Sequence, residues 1–401
     1  MNRTWLLGLG FFSISITWAL YNAFVPFFLE DYIASVGMIA FLMTLDNYFA
    51  IFLQPLIGRI SDRTNTRFGR RMPFLLIGMP LAALFGALIP WHNGLLLLIL
   101  FMVLMNLSMS IYRSPTVALM PDITQPHQRT RANGIINFMG GVGSIIAFGA
   151  GSILYDQHKS LPFLTSSILT IACLAILLVV IREKRHAISY APADGYKLRS
   201  FRREWTKPTL FLLAAIFFWF FSYQGIEALF TLYGKNHLGL KESEASFSLA
   251  FFSLAFVAMA IPSGLLGNRY GKKPVIMTGI IGLILIFSSI TFIDTLLGLR
   301  ILLIIGGIFW ALININSYPF IVALGPESSI GTRTGIYYIA SSLAAVASPP
   351  LMGMLIDGFD YAILFPVAAG GMVLALLFLL GVKDRGVSVQ SNDPMAASLD
   401  P

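Results

Sequence analysis

Apolar runs long enough to cross a ~30 Å hydrocarbon core at 1.5 Å per residue recur along the chain. They lie near residues 4–29, 35–60, 73–90, 94–120, 131–155, 161–181, 208–236, 243–267, 274–294, 296–324, 332–356 and 361–381. They predict an all-α membrane protein with twelve transmembrane helices. Polar residues inside the runs fall at helical spacing. In helix 4, Asn106, Ser110 and Arg113 lie at i, i+4 and i+7. Tyr223, Gln224, Glu227 and Thr231 share one face of helix 7, as Thr17, Trp18, Tyr21 and Asn22 do in helix 1. Helix 10 offers Asn314 and Ser317, helix 5 Asn133 and Asn137, and helix 11 Tyr338 and Ser341. A polar group in lipid is expensive unless it faces protein or water, so these stripes predict inward faces. Asn and Ser can also serve as hydrogen-bonding glue between helices, and the helix 5 glycines, Gly140, Gly141, Gly143, Gly149 and Gly151, read as close-packing positions.

Composition strengthens the membrane reading. Of 401 residues, 57% are hydrophobic and 11% charged, too few charges to cover a soluble surface of that size. The first run is too long for a signal-peptide core and lacks a convincing small-residue cleavage site, which predicts a retained helix. A net charge of +8 could suggest nucleic acid, but its distribution says otherwise. Lys and Arg crowd into the termini and alternate connections, with five arginines at Arg59, Arg63, Arg67, Arg70 and Arg71, and eight basic residues in 182–207. That asymmetry places both termini in the cytoplasm of a multi-pass protein, here expected in a bacterial-type inner membrane. The lone Cys173 permits no intrachain disulfide and reads as a packing residue. His92, His127, His158, His186 and His237 lack metal-site spacing, and no P-loop, nucleophile elbow or paired-cysteine motif is present. No cofactor, metal or enzymatic activity is expected.

The two halves of the chain repeat. An offset of 202 pairs Tyr21 with Tyr223, Gly69 with Gly271 and Arg131 with Arg333, and VALMPD at 117–122 matches VALGPE at 322–327. The spans therefore divide into six-helix halves at 1–181 and 208–381, joined by a polar linker at 182–207 and followed by a polar tail at 382–401. The second half carries GLLGNRYGKKP at 264–274, which is similar to the major facilitator loop pattern G-x-x-x-D-R-x-G-R-R/K with Asn268 at the Asp position. The first copy keeps Asp62 but inserts residues before Gly69. Its sequence SDRTNTRFGRRMPF, at 61–74, closely resembles the signature of sucrose/proton symporters and, more distantly, of glycoside cation symporters. Arg113 and Asp122 fall where the sucrose branch places an Arg and an Asp. Plant members of that branch carry a helix 4 Asp about three turns earlier; Met102 stands at that position, so the proton site cannot be carried over.

The resemblance implies the major facilitator fold, with the substrate between two six-helix halves near the midplane. It implies a proton-coupled importer of a sucrose- or maltose-like glucoside acting as a monomer, with sodium as an alternative ion. The other readings are a proton-coupled exporter of amphipathic organic compounds and a non-transporting receptor, the latter disfavoured by acidic residues in two apolar spans. Sugar hydroxyls need amide and carboxylate partners, and C–H faces lie well on aromatic rings. The candidate substrate contacts are Trp18, Tyr21, Asn22, Asn106, Ser110, Arg113, Asn137, Tyr223, Gln224, Asn314, Ser317 and Tyr338. Coupling falls to Glu227 or Asp46, with Glu227 favoured because its stripe is polar over more than two turns. A buried ion pair between Arg113 and Glu227 is the structural alternative. Asp62, Arg63, Arg67, Gly69, Arg70, Arg71, Asp122, Arg131 and Arg333 are expected to form a cytoplasmic latch, with Asp62 facing Arg131 or the start of helix 11.

Overall fold

A computed structural model describes residues 2–125, 129–181, 207–293, 295–323 and 330–382. Twelve of its helices are long and apolar enough to span a membrane. In chain order they are α1 (Asn2–Glu30), α2 (Val36–Arg63), α3 (Met72–Leu88), α4 (Leu95–Ile123), α5 (Arg129–Gln157) and α6 (Leu161–Val180). The second half follows with α7 (Lys207–Asn236), α8 (Glu242–Tyr270), α9 (Lys272–Ile290), α10 (Leu296–Ala323), α11 (Ile330–Phe359) and α12 (Leu364–Leu380). The expected linker and tail lie almost wholly outside the described residues.

Within the first half α1 packs on α5 and α6, and α3 on α4 and α6; the second half repeats this with α7 on α11 and α12, and α9 on α10 and α12. The halves meet where α2 crosses α11 and α5 crosses α8. An even number of antiparallel spans brings residues 2 and 382 to one end, called proximal; the opposite end is distal.

The repeat extends to backbone shape. Gly69 and Gly271 both turn the chain into the third helix of their half with φ of 117° and 91°. Only glycine enters that region without strain. In the first copy the turn closes on itself, with the Thr66 hydroxyl donating to the Gly69 carbonyl at 2.7 Å.

One span departs from the expected continuous helix. α2 is broken at Thr44 into Val36–Met43 and Leu45–Arg63. The Thr44 hydroxyl donates to the Phe41 carbonyl at 2.7 Å. Such back-bonding competes with the helical ladder and bends it. The break lies two residues before Asp46.

Candidate functional site

Three ionisable side chains converge between the halves: Asp46 from α2, Arg113 from α4 and Glu227 from α7. Counted from the distal ends of their helices, Asp46 and Glu227 sit at matching depth, roughly 15 Å in at 1.5 Å per residue. Because α2 restarts at Leu45, Asp46 occupies the first turn of the lower segment, where a carboxylate is favoured by the helix dipole. Its Oδ1 is buried without a hydrogen-bond partner. Arg113 is the cation that acts on Asp46, and the Asp46 charge in turn reaches Glu227. Among the described residues none of the three makes a salt bridge within 4.0 Å. All three are half-buried. The charges therefore face one another across a gap while keeping accessible surface. Asp46, and not Glu227, is the carboxylate beside Arg113; Glu227 instead faces the Tyr223 hydroxyl one turn earlier on α7.

Aromatic rings wall this gap from both halves. The Arg113 guanidinium lies 6.0 Å from the Trp18 ring centroid. Trp18 meets Tyr21 edge-on at 5.8 Å, and its indole N–H has no partner among the described residues. Across the gap, Tyr223 stacks on Trp310 with centroids 4.0 Å apart and planes 5° from parallel. Tyr318, Tyr337 and Tyr338 form a second cluster, in which Tyr338 is exposed and acts electrostatically on Arg113. Offset and edge-on aromatic pairs are worth about 0.5–1.5 kcal/mol beyond their buried area, so these contacts favour the observed ring orientations.

The other expected contacts separate into classes. Asn22, Gln224 and Asn314 are half-buried beside the gap-lining positions of their helices. Tyr21 and Asn106 are fully enclosed and tie α1 to α4 through a 3.2 Å bond from the Asn106 amide to the Tyr21 hydroxyl, while Asn106 Oδ1 lacks a partner. Ser110 is buried, and the Ser317 hydroxyl is engaged by the Asn314 carbonyl and the Tyr337 hydroxyl, each at 2.9 Å. Asn137 is exposed, its amide turned to the Asn133 carbonyl at 2.8 Å. Trp310 escaped the sequence reading, although it shares a helical stripe with Asn314 and Ser317; a search for polar spacing passes over an indole.

At the proximal end Arg71 is buried and bonds Asp62, the Ser61 hydroxyl and, at 2.9 Å, Asp122. Arg70 adds a two-pronged contact to Asp122 at 2.7 and 3.2 Å. Burial works against the Arg71 charge, but the two carboxylates outweigh it and raise its pKa. These bonds join α2, the loop before α3 and α4 within one half. Asp62 thus faces Arg71; the side chains of Arg131 and of Thr332, at the start of α11, are not among those described. Arg63 and Arg67 are exposed, the latter 4.7 Å from the Phe68 ring. In the second half, buried Arg333 donates to the Val322 carbonyl at 2.9 Å and ties α11 to α10.

Comparison with known proteins gives two kinds of likeness. The Major Facilitator Superfamily profile matches residues 7–251 and 235–397. Proton-associated sugar transporter A of Homo sapiens is 28% identical over 162 residues, covering 36% of this chain and 22% of that protein. Sucrose transport protein SUC3 of Arabidopsis thaliana is 26% identical over 183 residues, covering 40% and 31%. Tetracycline resistance protein, class H, of Pasteurella multocida is 25% identical over 246 residues, 59% of each chain. The chain thus spans less than two thirds of the length of these relatives. Among solved structures, the nucleoside transporter NupG superposes with a TM-score of 0.77 at 14% identity, covering 94% of this chain and 100% of that one. A bacterial homolog of the human lysosomal transporter Spinster, inward-facing and occupied, gives 0.71 at 14%, covering 95% and 94%. Both show the fold.

Proposed function

The chain belongs to the Major Facilitator Superfamily, and from that premise we propose that it is a secondary active transporter carrying a sucrose- or maltose-like glucoside with a proton by alternating access. The observation that carries this reading is the gap itself: carboxylates from both halves, one guanidinium, and aromatic faces in Trp18 and Tyr223, all half-buried between two six-helix units. Hydroxyls of a sugar find acceptors and donors there, and its C–H faces find rings. The likeness to sugar-transport proteins supports the same cargo class. In this reading the basic proximal end is cytoplasmic and the protein works as a monomer in the inner membrane.

Coupling falls to Glu227. It has the Tyr223 hydroxyl on its own helix and the Asp46 carboxylate within electrostatic reach, whereas Asp46 has a guanidinium beside it. A cation beside a carboxylate favours the charged form, so the uncompensated carboxyl is the better proton carrier. One proton moving with a neutral sugar gains about 2.3 kcal/mol per 100 mV, enough for roughly 50-fold accumulation.

The deciding measurement is uptake of radiolabelled sucrose and maltose into proteoliposomes under an imposed proton gradient, with a sodium gradient in parallel. Saturable uptake, competed by related disaccharides, is expected. A second reading, export of amphipathic organic compounds, draws on the tetracycline resistance relative. Folded protein that binds no sugar across a broad panel but moves organic cations against a proton gradient establishes that reading instead.

A further inference from the structure

The distal ends of the two halves are fastened to each other by a helix cap that comes from the wrong half. α2 begins at Val36, and its first backbone N–H groups have no intrahelical acceptor. Ser35 caps one of them, accepting from the Met38 N–H at 3.2 Å. Asp357, in the last turn of α11 more than three hundred residues away, takes the others: its carboxylate accepts from the Val36 N–H at 2.7 Å, the Gly37 N–H at 3.0 Å and the Ser35 hydroxyl at 2.6 Å. A carboxylate at the C-terminal end of its own helix is opposed by that helix's dipole, and the positive N-terminus of α2 offsets the penalty.

The backbones touch at the same point. A Cβ at Gly353 would lie 2.7 Å from Gly37 Cα and 2.8 Å from the Val36 carbonyl oxygen. Beside this cap runs a second set of bonds. Lys235 bridges Glu30 at 2.9 Å and Glu242 at 3.0 Å, Asn236 donates to Glu30 at 2.6 Å, and the Tyr155 hydroxyl donates to Glu242 at 2.7 Å. Glu30 and Tyr155 belong to the first half; Lys235, Asn236 and Glu242 belong to the second. The proximal bonds described above, from Arg70 and Arg71 to Asp122 and from Arg333 to Val322, each join elements of one half.

We propose that Asp357 and the α2 N-terminus form the distal gate, held shut by a carboxylate of one half capping a helix of the other. Opening the distal end lifts Asp357 off three donors at once and parts Gly37 from Gly353. Ser35 remains as the local cap, so α2 stays wound when the gate is open. The gate rests on the alternating-access reading, but its test needs no cargo, so an error in the sugar assignment leaves it standing.

Ala40 is fully buried one turn below Gly37, facing α11. In a Cys173→Ala background, an Ala40→Cys thiol reports distal opening through its rate of reaction with a membrane-impermeant maleimide. Spin labels on Trp91→Cys and Phe292→Cys, both exposed at the distal end of opposite halves, report the same event as a distance. Loss of charge-assisted hydrogen bonds in Asp357→Ala is expected to raise the labelling rate about tenfold and add a longer spin–spin distance. Asp357→Asn and Ser35→Ala should shift both readouts the same way by less, which keeps the test sharp if the alanine variant folds poorly. Asp62→Asn, at the proximal latch, should not raise distal labelling. Wild-type labelling and distances in Asp357→Asn and Ser35→Ala, or in folded Asp357→Ala, would mean that the cap is a fixed staple and overturn the gate.

Discussion

The two halves repeat one backbone but not one set of charges. Both copies of the loop before the third helix turn on a glycine of positive φ, at Gly69 and at Gly271. Around the first, Asp62, Arg70, Arg71 and Asp122 form a compact ion-pair group. Around the second, Asn268 replaces the carboxylate and Lys273 donates to the Val382 carbonyl. The gap between the halves shows the same imbalance. Asp46 in the first half has Arg113 beside it, while Glu227 in the second has the Tyr223 hydroxyl. The duplicated feature is geometry; the first half sets a cation beside its buried carboxylate and the second sets a phenol hydroxyl beside its own.

The strongest way to break this comparison is at Glu227. Glu227→Gln is expected to abolish gradient-driven accumulation, from roughly 50-fold per 100 mV to none, while sugar exchange across the membrane persists because a neutral amide mimics the protonated side chain. Asp46→Asn should be milder in the same liposomes. The opposite ranking moves the proton site to α2. At the loops, Arg71→Ala leaves buried Asp122 with weaker compensation and should destabilise the first half by about 3 kcal/mol, read as a lower midpoint of thermal unfolding in detergent. Lys273→Ala, at the matching loop, should lower stability by about 1 kcal/mol or less. Equal losses at the two loops would show that the ion-pair group adds nothing to the shared backbone.

A third comparison separates stability from gating. Asp62 is mostly exposed, so Asp62→Asn should change stability little yet increase proximal thiol accessibility and slow transport with sugar preference unchanged. The shared turn itself should separate the halves least. Gly69→Ala and Gly271→Ala each force a Cβ into a positive-φ position at a penalty of about 1–3 kcal/mol, similar in both halves.

Much of the fold was legible because lipid allows few exceptions: apolar runs set twelve helices to within a few residues, and the offset of 202 located both glycine turns. The break in α2 was not legible, since neither proline nor glycine marks it and what accompanies it is a threonine hydroxyl bonded within its own turn, as Ser and Thr hydroxyls are in unbroken helices too. At the candidate site, the position of three charges inside apolar runs singled them out, because an ionised group in a span needs company. Their neighbours depend on how α2, α4 and α7 lean together, and no periodicity encodes that. Hence Arg113 could be matched to a carboxylate from the sequence but not to the right one. Tyr21, Asn106 and Ser317 show the limit of the stripe argument: the two hydroxyls and the Asn106 amide nitrogen share a face with accessible residues yet are taken up by other protein groups.

The bridge between Glu30, Lys235 and Glu242 lies partly open to solvent at the distal end. Its attraction therefore falls with ionic strength, over a Debye length of about 8 Å at 0.15 M and about 3 Å at 1 M. The backbone bonds of Asp357 are shorter-ranged and less sensitive. A saltier medium on the distal side loosens one fastening and spares the other, so the ionic strength at that end becomes an input to how often the gate proposed there opens.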